Sequence, residues 1–125
     1  MRILIADDHE IVRKGLRQIL ADEFPFAEIE EVGNGRDLVK MAMDGEWDII
    51  LSDLAMPELT GLQALELIHR EKPATPYLVL SMYPADQYAV RVIRAGAAGY
   101  VTKDMAQDEL ITAINAAANG EVYLY

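Results

Sequence analysis

Cysteine is absent from the 125 residues. That excludes a disulfide framework and any zinc site built on thiolates. Basic residues are scarce: 11 Lys and Arg stand against 21 Asp and Glu, a formal net charge of -10. Such a surface does not grip a phosphate backbone, so nucleic-acid binding by this segment unaided is not expected. Cations or basic proteins are better suited as partners. No apolar run is long enough to cross a membrane, and the N-terminus lacks the apolar stretch of a signal peptide. The expected location is the cytoplasm, without membrane contact. Internal repeats and low-complexity segments are missing as well. No G-x-G-x-x-G occurs, and acidic residues fill the first loop where a nucleotide phosphate would need Gly, Ser or Thr.

What remains is an ordinary globular composition, 52% hydrophobic and 26% charged. The length predicts one domain with a real core. Five apolar, strand-like runs alternate with five helical patterns. Ile3 to Ala6 is the first strand and ends in Asp7-Asp8. A helix follows from about His9 to Asp22, with Val12, Leu16, Ile19 and Leu20 on one face and Arg13, Lys14, Arg17 and Gln18 on the other. Asp7 and Glu10 have capping-box spacing. Ala27 to Val32 is the second strand, Gly33-Asn34-Gly35 a turn, and Arg36 to Met43 the second helix. Ile49-Ile50-Leu51 is unbroken and apolar, which suits a strand covered on both faces. That strand delivers Asp53, and Pro57 stops it. Thr60-Gly61 opens a helix to about Glu71, Tyr77 to Ser81 is the fourth strand, and Pro84 sits in the first turn of a helix to about Ala95. Tyr100 to Thr102 is a short fifth strand ending at Lys103. The last helix opens at Asp104, with Gln107 at capping-box spacing, and Gly120 is its C′ residue. Strict alternation predicts a doubly wound α/β sandwich of parallel strands. Glu121 to Tyr125 reads as a connection.

Ligands of such sheets bind at the carboxyl ends of the strands. Those ends carry Asp7 and Asp8, then Asp53, Ser81 and Lys103. Each taken alone has an ordinary reading: a helix cap, a turn aspartate, a loop hydroxyl, a solvated lysine. Together they describe a cation and phosphoryl site. Three carboxylates in one crevice repel unless a cation is present. Hard oxygen ligands favour Mg²⁺. Lys103 offers charge to phosphoryl oxygens, Ser81 a hydroxyl, and a carboxylate can be the nucleophile that forms an acyl phosphate. His9 reads as a first-turn residue at the rim. Trp47 reads as packing at the far end of the third strand.

On these motifs the chain resembles a bacterial response-regulator receiver domain over essentially its whole length. They are Asp7-Asp8, Asp53 with Met56-Pro57 and Gly61, Ser81, and Tyr100 with Lys103. The run Arg94 to Asp104 resembles the NarL/FixJ-type (LuxR-type) subgroup. The resemblance implies a (βα)5 flavodoxin-like fold with strand order 2-1-3-4-5. Residues 1–120 would form the receiver, and 121–125 would begin a linker to a C-terminal output domain. It implies that Asp53 accepts a phosphoryl group from a phosphohistidine on a sensor histidine kinase. Asp8, Asp53 and the backbone carbonyl of Ala55 would ligate Mg²⁺, with Asp7 acting through water. Lys103 and Ser81 would contact the phosphoryl oxygens, and Tyr100 would switch with Ser81. A homodimer on phosphorylation and DNA binding through a helix-turn-helix output domain would follow.

The chain departs from the commonest pattern at Ser81, where Thr is frequent, at Thr60, where the loop often has Asp, and at Asp104, where many receivers have proline. A cis bond without proline costs roughly 3 kcal/mol, so a trans Lys103–Asp104 bond is expected. Ala55 and Tyr83, two residues beyond Asp53 and Ser81, cannot serve as a carboxylate base, which predicts a long-lived phosphoryl group and no turnover enzyme. A protein-contact module working without phosphorylation and a Mg²⁺-dependent phosphohydrolase are the competing readings. The hydrolase would need an acid at Ala55.

Overall fold

The computed structural model describes residues 1–105 and 107–124. Strands and helices alternate as the sequence predicts. They are β1 (Arg2–Ala6), α1 (Glu10–Glu23), β2 (Glu28–Val32), α2 (Gly35–Asp44), β3 (Ile49–Asp53), α3 (Gly61–Glu71), β4 (Tyr77–Ser81), α4 (Ala85–Arg94), β5 (Gly99–Thr102) and α5 (Gln107–Ala118). The five strands are parallel in the order β2-β1-β3-β4-β5. The described peptide bonds, Lys103–Asp104 among them, are all trans.

The sheet carries one more strand than the sequence suggests. Tyr123–Leu124 forms a short β6, parallel to β5 at the edge. The Tyr123 N–H donates to the Ala98 carbonyl at 2.7 Å. Gly99 makes room for it, because a Cβ there would lie 2.6 Å from the Tyr123 carbonyl oxygen. Part of the expected connection is therefore paired into the sheet; Tyr125 lies outside the described residues.

Strand side chains alternate between faces, and this divides the core. Leu4, Ile50, Val79 and Tyr100 pack toward α2, α3 and α4. Ile3, Ile5, Ile49, Leu51, Leu78, Leu80 and Val101 pack toward α1 and α5. Being covered on both sides, β3 and β4 are buried at every residue.

Helix starts differ from the expected ones by local capping. α2 begins one residue early because Asn34, not the turn after it, is the N-cap and accepts the Asp37 N–H at 2.8 Å. Thr60 and Gln63 form a full capping box on α3. Pro84 is the N-cap of α4 rather than a first-turn residue. The Asp7–Glu10 capping box does not form: His9 is the N-cap of α1, and Asp7 bonds elsewhere. α5 begins at Gln107, three residues after Asp104, so a box between those two does not form either. Ala106, the residue before it, lies outside the described residues.

Candidate functional site

Register brings the predicted residues together. Ala6 lies opposite Ser52, so Asp7 follows β1 at the level of Asp53. Asp53 lies opposite Leu80, one residue before Ser81, and Ser81 lies opposite Thr102, one residue before Lys103. Alternation aims them. Residues 3, 5, 49, 51 and 101 face α1 and α5; continuing that parity places Asp7, Asp53 and Lys103 on the same side. The ammonium of Lys103 lies 2.7 Å from Asp7 Oδ2 and 3.4 Å from Asp53 Oδ2. The stem of Lys103 lines a mainly apolar cavity of about 80 Å³ with Val12, Leu16, Met105 and Leu110, between α1 and α5.

Asp7 is 1% exposed, yet every polar group it has is engaged. Its N–H donates to the Val32 carbonyl. Its carbonyl accepts from Arg13 Nη1 at 2.6 Å. Oδ1 accepts the His9 N–H at 2.9 Å, and Oδ2 accepts from Lys103. Buried carboxylates require such partners. Asp8 is more open, with a side chain 31% exposed. The ring Nδ1 of His9 lies 3.2 Å from an oxygen of each of Asp7 and Asp8. One ligand atom from each of Asp7, Asp8, His9 and Asp53 falls within 4.8 Å of the others. An octahedral cation with bonds near 2.1 Å spans about 4.2 Å between trans ligands, so the three carboxylates lie close to the spacing a small divalent ion needs and offer the oxygen donors it prefers.

Asp53 is nearly buried, and its carboxyl is pushed above the ordinary carboxylate range. Burial is the main cause; Lys103 opposes it, Asp7 reinforces it, and the Ala55 N–H draws it back. The loop after β3 is anchored tightly. The Gly61 N–H donates to the Leu54 carbonyl at 2.8 Å, and Tyr77 Oη donates to the Gly61 carbonyl at 3.0 Å. A Cβ on Gly61 would collide with the Asp53 carbonyl. The α3 N-terminus therefore sits against the backbone of Asp53, which only glycine permits.

Ser81 and Tyr100 lie toward the other face. Ser81 is buried, and its Oγ accepts the Tyr83 N–H at 3.0 Å. Tyr100 is also buried, and its hydroxyl donates to the Tyr83 carbonyl at 2.6 Å. Both therefore hold the same residue of the β4–α4 loop. Burial raises the Tyr100 hydroxyl above its usual pKa.

The structure thus brings Asp7, Asp8 and Asp53 within 4.8 Å of one another, sets Lys103 against Asp7 and Asp53, and places Ser81 and Tyr100 on the opposite face of β4 and β5. Two contacts escaped the sequence reading. His9 stands at the rim as expected, its side chain 67% exposed, but its Nδ1 also reaches both acids. Arg13, read as part of the polar face of α1, turns inward to the Asp7 carbonyl. No spacing signal distinguishes it from the neighbouring surface charges Lys14 and Arg17.

Comparison with known proteins decides the family. The model of the response regulator receiver domain matches residues 3–115. The chain belongs to the response regulator receiver domain family. It is 40% identical over 123 residues to the transcriptional regulatory protein YdfI of Bacillus subtilis, covering 98% of this chain and 57% of that protein. It is similar in structure to a two-component response regulator of the LuxR family from Aurantimonas sp., with a TM-score of 0.90 and 31% identity, covering 99% of this chain and 88% of that one. The isolated receiver domain of RcsB from Salmonella enterica serovar Typhimurium, solved in the presence of the phosphomimetic BeF3⁻, matches with a TM-score of 0.86 and 27% identity. That match covers 100% of this chain and 93% of the RcsB domain. The chain spans little more than half the length of the curated relatives it matches. Receivers of two-component systems are signalling modules rather than turnover enzymes, and YdfI and DegU, among the relatives, are transcriptional regulatory proteins. Among the described residues, no helix is long and apolar enough to cross a membrane.

Proposed function

We propose that Asp53 is the phosphoacceptor of a two-component relay and that its phosphorylation requires Mg²⁺. The single observation that carries this is the convergence of Asp7, Asp8 and Asp53 on one point, with Lys103 bridging two of them. An Asp53 carboxylate oxygen attacks the phosphorus of a phosphohistidine on a sensor histidine kinase. A P–O bond forms, the P–N bond breaks, and the imidazole leaves with the bonding pair and is protonated. Asp8, Asp53 and the Ala55 carbonyl would hold the Mg²⁺, with Asp7 assisting through water. When bound, the ion supplies charge neutralisation for the transferring group. Lys103 adds positive charge at the phosphoryl oxygens, and Ser81 offers its hydroxyl. Phosphoryl transfer depends mainly on positioning and electrostatics, and these residues provide both.

The signal leaves through Tyr83. To donate its hydroxyl to a phosphoryl group on Asp53, Ser81 must turn away from the Tyr83 N–H that it now accepts, and Tyr83 also accepts from Tyr100 through its carbonyl. A dianion thereby biases a local two-state loop. Residues 1–120 act as the receiver, with 121–125 leading to a helix-turn-helix output domain that binds DNA, and phosphorylation favours a homodimer. Similar proteins support this reading: YdfI is a transcriptional regulatory protein, and RcsB dimers have been solved bound to DNA. Neither Ala55 nor Tyr83 supplies a base for water, so the phosphoryl group is long-lived. The reading places the protein in the cytoplasm.

The test is to incubate the protein with Mg²⁺ and acetyl phosphate and to record its intact mass. One phosphoryl adduct, lost in Asp53→Asn, is the expected result. Absence of an adduct would overturn it in favour of a contact module, and continuous phosphate release in favour of a hydrolase.

A further inference from the structure

We propose that Arg13 is a positioning residue for the acid pair: by holding the main chain of Asp7, it sets the affinity of the site for a divalent cation it does not touch. The inference rests on the Mg²⁺ reading of the site above. Arg13 Nη1 donates to the Asp7 carbonyl at 2.6 Å, and Nε lies 3.3 Å from Glu31 Oε1. The side chains of Arg13 and Glu31 are only 19% and 18% exposed. The second oxygen of Glu31 takes Arg17 at 2.9 Å. Glu31 thus fixes the guanidinium from behind, at the penultimate residue of β2. Asp7 is held from two sides, by Val32 through its N–H and by Arg13 through its carbonyl. The peptide so fixed joins Asp7 to Asp8, and its orientation determines where both carboxylates point.

Arg13 fits because Gly33 has no side chain. A Cβ at Gly33 would lie 3.2 Å from Arg13 Nη1 and 4.0 Å from the Asp7 carbonyl oxygen. The planar fork of arginine can serve Asp7 and Glu31 together; a lysine ammonium is a single point on a flexible stem.

Charge and geometry predict opposite signs, which makes the role testable. Arg13 is a cation near a cation site, so removing its charge should tighten Mg²⁺ binding by Coulomb repulsion alone. Loss of positioning should weaken it. Partners that orient metal ligands from behind typically cost about 10–100-fold in affinity when removed. Mg²⁺ affinity is measured by titration calorimetry on the whole chain for wild type, Arg13→Met, Arg13→Lys and Gly33→Ala, with circular dichroism confirming that each folds. Expected is a loss of about tenfold in Arg13→Met, a partial loss in Arg13→Lys, and a smaller loss in Gly33→Ala, which changes no charge. The Asp8 and His9 amide resonances should shift in all three variants without metal. Binding in Arg13→Met as tight as wild type, or tighter, overturns the positioning role and leaves the Mg²⁺ reading intact. Wild type that gives no binding heat overturns both.

Discussion

The Lys103 ammonium and the Asp7 carboxylate meet at 2.7 Å, although 96 residues separate them in the chain. The lysine is 12% exposed and the aspartate 1%. This pair ties the end of the first strand to the end of the fifth and offsets part of the charge of the acid cluster. Removing one partner of a buried pair leaves the other as an uncompensated charge, at a cost of roughly 3–5 kcal/mol. Lys103→Met keeps the stem over the cavity and deletes only the charge. Its urea midpoint in chelator should fall accordingly at neutral pH. An unchanged midpoint would mean that water at the mouth already screens Asp7.

Asp53 should behave in the opposite way. Its folded carboxyl holds the proton more tightly than the unfolded one, chiefly because of burial. Stability from that proton is fully present below the unfolded carboxylate value of about pH 4. It is lost as pH rises through the higher folded value. Asp53→Asn removes the titration, so without metal the variant should be more stable than wild type at pH 7. The gap should narrow toward pH 4. Denaturation curves at several pH values test this, and a gap that widens toward acid would reverse the assignment.

Tyr77 gives an alkaline counterpart. It is fully buried and donates to the Gly61 carbonyl, and burial raises its pKa well above the usual tyrosine range. Above about pH 10 the unfolded chain loses this proton while the folded one retains it. Stability therefore falls with rising pH, by about 1.4 kcal/mol per unit for one group. Tyr77→Phe should be less stable at neutral pH by roughly 1–3 kcal/mol, because the buried Gly61 carbonyl loses its donor. It should also lose stability less steeply above pH 10. The two curves should converge within roughly two pH units; parallel curves would show that Tyr77 titrates normally.

Much of this architecture is legible before any coordinates. Ile49-Ile50-Leu51 and Leu78-Val79-Leu80 are apolar without a break because both sheet faces are covered. Alternation within β1, β3 and β5 carries Asp7, Asp53 and Lys103 to one side, but that the three share a face appears only in the observed packing. The acids, serine and lysine followed from strand ends alone. What could not be read depends on contacts between distant segments. Asp7 and Glu10 have the spacing of a capping box, but the distant Lys103 takes one Asp7 oxygen and the His9 N–H next to it the other. Arg13 occupies a polar helix position and is drawn inward only because Glu31 and the Asp7 carbonyl lie beside it. β6 forms because Gly99 admits the Tyr123 backbone, a fact of close approach that no local pattern encodes.

Gly61 offers a stability test that also reads the site. Its missing side chain lets α3 start directly against the Asp53 backbone. Alanine there must push the helix or the strand end aside, and overpacking of this kind costs roughly 1–3 kcal/mol. Gly61→Ala should therefore melt earlier than wild type and accept phosphate from acetyl phosphate more slowly, since its collision partner carries the acceptor. Normal phosphorylation in a destabilised variant would show that the helix, not Asp53, yields.

Cation binding should register in stability but not in tryptophan emission. Mg²⁺ relieves repulsion among Asp7, Asp8 and Asp53, and at a free concentration of 100 times its Kd it should stabilise the fold by about 2.7 kcal/mol. Asp8→Asn should lose most of that gain. Trp47 lies at the opposite end of the sheet. Its indole N–H donates to the Met41 carbonyl at 2.9 Å, and the Arg2 guanidinium covers the ring at 4.2 Å. Six residues of extended chain separate it from Asp53, roughly 20 Å at 3.3 Å per residue. Its surroundings are fixed by β1 and α2 rather than by the acid loop. A melting curve that shifts with millimolar Mg²⁺ while Trp47 emission stays constant is the expected pair of results. A large Mg²⁺-dependent quench would mean that ion binding rearranges the far end of the sheet, and would overturn the rigid β3 that the site requires.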